Sequence, residues 1–303
     1  MAKTVWVFPG QGSQAVGMGS DLADLAKDKF AEAEDILGWS VLGQCQSDES
    51  QLANTLYTQP CLYVIECILV DLLKAQGTHP DLVAGHSLGE YSALYAADVF
   101  DFAAGLCLVK RRAELMAQAA DGAMAALMGF DRDELDQALA TTEGVVLAND
   151  NSSAQVVISG TPAAVEAVMT GIKTKRAVKL NVGGAFHSPL MAPAAHEFDQ
   201  ILADVPFKTA TVPVLANVDP TPTTDGDTLK KRLMQQMTGS VRWREISLIL
   251  PEQGVDTVIE VGPGRVLAGL IKRTCRSLTL QNVETLEQVE AMQPSGKVPV
   301  ECV

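Results

Sequence analysis

Gly85-His86-Ser87-Leu88-Gly89 places a serine between two glycines in the spacing G-x-S-x-G. A serine in that pattern becomes a nucleophile when a strand turns sharply into a helix, leaving Oγ at the tip with the helix amino terminus beneath it. The flanking sequence supplies both parts: Leu82-Val83-Ala84 reads as a strand and Glu90–Ala97 as a helix. Glycines on either side permit the bend between them. A glycine-rich turn that merely happens to carry a serine fits the five letters alone, and the strand before and helix after favour the nucleophile. The chemistry such a serine performs is acyl transfer, in which it attacks an activated carbonyl and holds the acyl group as an ester.

Acyl transfer also needs two N–H donors aimed at the developing oxyanion, each contributing about 3–4 kcal/mol in the transition state. The bend supplies the N–H of Leu88. A second donor has to come from a neighbouring loop, and Pro9-Gly10-Gln11-Gly12-Ser13-Gln14 offers the main-chain amide of Gln11 between two glycines. A base must take the serine proton, and the chain has only four histidines. His86 adjoins the nucleophile and so points away from the face Ser87 presents. His79 precedes Pro80 in a loop before the strand, and His196 falls on a helix face in Met191–Val205. His187, in Gly183-Gly184-Ala185-Phe186-His187-Ser188-Pro189, is read as closing a strand and opening a turn, where α/β sites assemble. It is the best base of the four. Apart from Asp150, no acid stands in a loop where it would orient that imidazole, which weighs against a serine hydrolase. An uncharged acceptor, either an amide or a main-chain carbonyl, would leave a base suited to a thioester.

These residues must be held by something, and the pattern around them is that of an α/β fold. Short apolar runs ending in glycine turns recur: Val5–Phe8 before Gly10, Leu82–Ala84 before Gly85, and Val258–Val261 before Gly262. Each reads as a strand feeding a helix in a mostly parallel, hydrolase-like sheet. Leu62, Ile65, Leu69, Leu72 and Leu73 recur at helical spacing in Cys61–Ala75, with Pro60 in the first turn. Between them lies a different order: strand 124–128, helix 132–140, strand 145–148, strand 155–159, helix 162–171 and strand 177–181. That is the β-α-β-β-α-β unit of a ferredoxin-like subdomain. The expected division is therefore 1–122 and 188–303 for the large α/β subdomain, with 123–187 inserted. From Pro294 onward a loose terminus is expected.

Composition bounds the partners. The 303 residues are 47% hydrophobic and 20% charged, enough apolar material for a sizeable interior. A formal charge of −14 excludes a nucleic-acid partner, and no apolar stretch in the sequence approaches the length of a membrane span. Basic residues cluster at Lys110, Arg111 and Arg112 and again at Lys272, Arg273 and Arg276, and both groups read first as solvated helix faces. Cys45, Cys61, Cys67, Cys107, Cys275 and Cys302 include no C-x-x-C pair and read as reduced thiols of a cytoplasmic protein. A dinucleotide-binding reading rests on the G-x-G-x-x-A of Gly10–Ala15. It lacks the acid that should end a second strand, because Glu32, Glu34 and Asp35 fall in a helical pattern.

Taken together, the motifs resemble those of the malonyl-CoA:acyl-carrier-protein transacylases of fatty acid and polyketide synthesis. The match spans nearly the whole chain and is carried by Phe8–Gln14, Thr58-Gln59-Pro60, Gly85–Ala93, Arg112, Ala185–Ser188 and Glu260–Gly264. The resemblance implies Ser87 as the acylated nucleophile, His187 as base, and the Gln11 and Leu88 amides as oxyanion hole. It implies that Arg112, not Arg111, grips the malonyl carboxylate. It implies that Gln236 orients His187 through an oxygen acceptor, with Gln235 the alternative. Phe186 before the histidine resembles the malonyl-selective members, although Gly184 stands where many large synthases carry histidine. The implied reaction needs no metal or bound cofactor. Malonyl-CoA and coenzyme A are substrate and product, and an acyl carrier protein bearing phosphopantetheine is the partner. A discrete polyketide acyltransferase, the transferase subunit of a malonate decarboxylase and a serine thioesterase are the alternatives that remain open.

Overall fold

The computed structural model describes residues 3–119 and 121–292. The terminus expected to be loose from Pro294, and Cys302 within it, lie outside the described residues.

The first strand, β1 (Lys3–Phe8), alternates its side chains between two interiors. Trp6 and Phe8 enter one apolar cluster, and Val5 and Val7 enter another on the opposite face. A strand buried on both faces belongs at the centre of a parallel sheet covered by helices on each side. Its neighbours are β2 (Leu82–Gly85) on one side and β8 (Val255–Val261) on the other, both parallel to it. The sheet is completed by β7 (Val214–Leu215) and β9 (Thr279–Val283), in the order β7-β2-β1-β8-β9. The loops after β1, β2, β7 and β8 thus emerge along one carboxyl edge, and the loops carrying Gln11, Ser87, Asn217 and Gly262 are brought together there.

A second sheet contains β3 (Ala123–Phe130), β4 (Val145–Ser152), β5 (Gln155–Gly160) and β6 (Thr174–Lys179), all antiparallel, in the order β4-β5-β3-β6. With the helices Arg132–Thr141 and Pro162–Gly171, this is the ferredoxin-like strand order. One face, with Ala125, Leu127, Val156 and Ile158, packs on Leu135, Val165 and Val168 of those helices. The other face, with Met124, Ala126, Ala148 and Val157, joins the core of the large sheet. Main-chain bonds fasten the two: Val241 N donates to Ala148 O at 2.8 Å, and Asp150 N donates to Val241 O at 2.9 Å.

Three readings from sequence shift. The helix expected from Cys61 begins at Thr55, because Asn54 Oδ1 accepts the Leu56 N–H at 3.0 Å and caps an extra turn. Pro60 therefore lies inside the helix, and the added turn brings Gln59 into the buried interior. At 21 residues this helix has the length and apolar character of a membrane span, but 78% of its most apolar window is buried within the fold. The last strand of the small sheet ends at Lys179, not Asn181, so His187 closes no strand. It sits eight residues beyond β6 in an irregular loop.

The glycines of the serine motif act by close approach, since the left-handed residue is Ser87 itself, at φ 53°. A Cβ on Gly89 would strike the main-chain carbonyls of Phe8 and Pro9, and one on Gly85 would strike the backbone of Gly89 and Glu90. The helix can start against the end of β1 only because those positions are bare. Gly89→Ala is therefore expected to destabilise the fold by about 1–3 kcal/mol through overpacking. Urea denaturation checks this, and an unchanged midpoint would contradict it.

Candidate active site

The main chain of β2 ends at Gly85, His86 N donates to Phe8 O at 2.9 Å, and Ser87 takes the strained left-handed conformation that puts Oγ at the tip of the turn. Two side chains hold the Ser87 peptide. Asn217, just past the end of β7, accepts the Ser87 N–H at 2.7 Å through Oδ1 and donates to Gly85 O at 2.5 Å through Nδ2. Gln236 Nε2 donates to Ser87 O at 2.9 Å.

His187 Nε2 lies 2.8 Å from Ser87 Oγ. Its other nitrogen, Nδ1, faces two main-chain carbonyls, Gln236 O at 2.9 Å and Gly239 O at 3.2 Å. Carbonyl oxygens only accept, so Nδ1 carries the proton and Nε2 presents its lone pair to the serine hydroxyl. The orienting acceptor is thus the main-chain carbonyl of Gln236. Gln235 O instead accepts the Gly239 N–H at 2.9 Å within the turn. Burial, followed by the nearby Arg112 charge, pushes the His187 pKa down to about 3. At neutral pH the imidazole is an unprotonated base. Asp150, the one acid considered for orienting it, pairs instead with Arg132 at 3.1 Å.

Arg112 is 1% exposed and enters the same site from the helix Phe102–Gln118. Its Nη1 donates to Gln59 Oε1 at 2.7 Å, and its Nη2 donates to Gln236 Oε1 and to Ser87 Oγ, each at 3.1 Å. The guanidinium carbon lies 5.5 Å from the Tyr91 ring centre. Every one of these acceptors is neutral, and among the described residues no carboxylate pairs with Arg112. The basic cluster read at 110–112 therefore dissolves: Lys110 donates to Ile36 O, Arg111 pairs with Glu114 and Glu197, and Arg112 is interior.

The Leu88 N–H opens the helix Gly89–Ala96 and the Gln11 N–H lies in the loop after β1. Gly10 brings them together, because its Cα face lies against His86 O and Leu88 N, where a Cβ would stand 2.5 Å and 3.7 Å away. The Gln11 side chain turns aside to Thr55, with Nε2 3.1 Å from Oγ1. Ser87, His187, Arg112, Gln11, Leu88, Gln59 and Phe186 line one cavity of about 100 Å³. Met116 and Met124 complete its apolar side. A Cβ on Gly184 would stand 2.5 Å from Ala119 O and 2.6 Å from the Phe186 ring, so a bare position 184 is needed beside both that backbone and that ring.

The remaining histidines lie elsewhere. His86 Nε2 bonds Asn151 Oδ1 at 2.8 Å, and its ring packs edge-on to Trp243 at 5.5 Å. His79 and His196 are exposed. Gln59, Asn217 and Glu90 belong to the site, yet sequence reasoning assigned them no role. The one local signal was a carboxylate, Glu90, in the otherwise apolar helix Gly89–Ala96. Glu90 is buried, and its pKa is pushed up to about 7 by burial against the opposing bonds from Gln236 and Asn217.

The family model described as an acyl transferase domain matches residues 5–301. The malonyl CoA-acyl carrier protein transacylase of Synechocystis sp. is 61% identical over 96% of this chain and 100% of its own length. Its crystal structure, with the same coverage, superposes with a TM-score of 0.94. A polyketide biosynthesis malonyl CoA-acyl carrier protein transacylase of Bacillus velezensis is 44% identical, covering 88% of this chain and 95% of that protein. A malonyl-transacylase solved in complex with a type II polyketide acyl-carrier protein is 37% identical, covers 96% of this chain and 98% of that one, and has a TM-score of 0.90.

The state of the base has a direct readout. Nitrogen NMR across pH 8 to 5 is expected to show His187 remaining as the neutral, Nδ1-protonated imidazole. Formation of an imidazolium near pH 6.5, the ordinary histidine value, would contradict the geometry.

Proposed function

The chain belongs to the acyl transferase domain family, and from that premise we propose that it moves a malonyl group from malonyl-CoA to the phosphopantetheine thiol of an acyl carrier protein, supplying fatty acid synthesis. The observation that carries the malonyl assignment is Arg112, a fully buried cation that faces the nucleophile with only neutral acceptors around it. Burial disfavours the Arg112 charge, Tyr91 and Glu90 support it without a direct ion pair, and a substrate bearing a free carboxylate supplies the bidentate partner that the site lacks.

In the acylation step the malonyl carboxylate pairs with Arg112 and the thioester carbonyl sits beside Ser87 Oγ. His187 Nε2 takes the hydroxyl proton as Oγ bonds to the carbonyl carbon, and the oxyanion forms against the Gln11 and Leu88 amides. The carbon–sulfur bond then breaks, and coenzyme A leaves as the thiol after taking the proton from His187. In the second half the carrier's pantetheine thiol gives its proton to His187 and attacks the malonyl-Ser87 ester. Collapse of that tetrahedral adduct returns the proton to Ser87. An imidazole oriented by carbonyls, with no carboxylate to stabilise its charged form, is a modest base, which suits a thioester more than an amide. No bound cofactor takes part in this scheme. On this reading the enzyme works in the cytoplasm, and the chain divides into 1–122 and 188–303 around an inserted 123–187.

The carrier partner is acidic by the family resemblance, and this chain is itself strongly acidic, so docking needs a local basic patch. Lys272, Arg273 and Arg276 are exposed at and just beyond the end of the helix Val266–Thr274. That helix follows the Gly262–Gly264 turn, and a Cβ on Gly264 would lie 3.4 Å from Ser13 O in the loop that carries Gln11. Charge reversal at the three positions is expected to slow transfer to the carrier about tenfold or more while leaving acylation by malonyl-CoA unchanged. Equal loss in both half-reactions would reject this docking face.

Mass measurement after mixing with malonyl-CoA tests the activity itself. The expected result is a malonyl adduct on Ser87, absent in Ser87→Ala, that persists in water and is discharged by carrier thiol. Rapid release of free malonate with no adduct would make the protein a thioesterase and overturn the proposal.

A further inference from the structure

Two glutamine amides face Arg112, and each could face it the wrong way round. An amide turned by half a rotation would bring its NH2 group against the guanidinium, donor against donor, and the arginine would lose an acceptor. Each amide is held by a third group. Gln59 Nε2 points to Met116 Sδ at 3.3 Å, which leaves Gln59 Oε1 for Arg112. Gln236 Nε2 donates to Glu90 Oε2 at 2.8 Å and to Ser87 O at 2.9 Å, which leaves Gln236 Oε1 for Arg112. The same oxygen, Glu90 Oε2, also accepts the Asn217 main-chain N–H at 3.0 Å. Asn217 and Gln236 are the two residues that grip the Ser87 peptide, one at its N–H and one at its carbonyl. Glu90 is 1% exposed, so no solvent can substitute for it.

We infer that Glu90 is a positioning residue for acyl selectivity: its buried carboxylate oxygen, working with Ser87 O, fixes the Gln236 amide so that Arg112 is presented, charged and aligned, to a carboxylated acyl group. The inference rests on the malonyl-transfer reading and deepens it. Glu90 does not line the cavity, and it acts through Gln236 on the arginine and through Asn217 on the nucleophile turn. Loss of the acceptor leaves Ser87 O as the one remaining acceptor of the Gln236 amide nitrogen, so the orientation is held by one bond instead of two. Whenever the amide turns, the arginine faces an NH2 group and is drawn out of register. A substrate with a carboxylate suffers both this fault and any slackening of the serine turn. A substrate without one, such as acetyl-CoA, suffers the second alone.

The test compares acylation of Ser87 by malonyl-CoA and by acetyl-CoA, read as the ratio of their kcat/KM values, with the melting temperature recorded for each variant. Glu90→Met keeps the volume and removes the acceptor, and the malonyl-to-acetyl ratio is expected to fall at least about tenfold. Glu90→Gln keeps a carbonyl oxygen that can accept both bonds, and is expected to hold the ratio to within about threefold of the unaltered protein, whatever happens to the absolute rate. If Glu90→Met does not fold, Glu90→Asp withdraws the oxygen by one methylene and is expected to lower the ratio in the same direction. An unchanged ratio in a folded Met or Asp variant overturns the inference, as does a Gln variant that loses the ratio as fully as Met. Failure of the unaltered protein to take up malonyl at all would remove the activity reading, and this inference with it.

Discussion

The short contact between Ser87 Oγ and His187 Nε2 is the constraint around which the rest is arranged. Both residues reach it only by adopting left-handed backbone conformations, φ 53° at Ser87 and 57° at His187, which side-chain-bearing residues ordinarily avoid at about 1–2 kcal/mol each. That strain persists because neighbours over-determine it. Asn217 and Gln236 fix the Ser87 peptide from opposite sides, and two carbonyls of the Gln236–Gly239 turn hold the imidazole. The strands behind them are buried on both faces, so the edge from which these loops emerge has little freedom to shift.

Gln236 joins three functions that a simpler site would separate. Its carbonyl orients the base, its amide nitrogen holds the nucleophile's carbonyl, and its amide oxygen holds Arg112. A carboxylate side chain in that place would neutralise the arginine before a substrate arrived, whereas a neutral amide leaves the cation available. The imidazole is oriented by main-chain carbonyls and not by that side chain, and the modest base this leaves is sufficient for thioesters. The apolar side of the cavity, with Phe186, Met116 and Met124, limits its size, and Ala119 O and the Phe186 ring together leave no room for a side chain at Gly184.

Ser87 was legible in the sequence because the bend that presents it is local: strand, bend and helix lie within some fifteen residues. The three central strands of the large sheet and the four of the small one were legible for the same reason, since apolar runs and turn residues mark them, whereas β7 and β9 at the edges were not read. His187 emerged only by elimination among four histidines, and its supposed strand end was displaced, because Lys179 ends β6 and the loop beyond it carries no periodic signal. Gln59 was missed because Asn54 extends its helix by a turn that apolar spacing does not reveal. Asn217 follows a two-residue strand, too short to leave a pattern, and meets Ser87 across 130 positions. Arg112 could be separated from Arg111 by resemblance to a family, but not by spacing.

The central claim is that the imidazole of His187 removes the serine proton as the thioester is attacked. Rapid-mixing measurement of Ser87 acylation by malonyl-CoA in His187→Ala, at saturating substrate, addresses it most directly. The account predicts a fall of about 10²- to 10⁴-fold in the acylation rate, the range expected for loss of a general base, with malonyl-CoA affinity retained through Arg112. An acylation rate within about tenfold of the unaltered protein would contradict it.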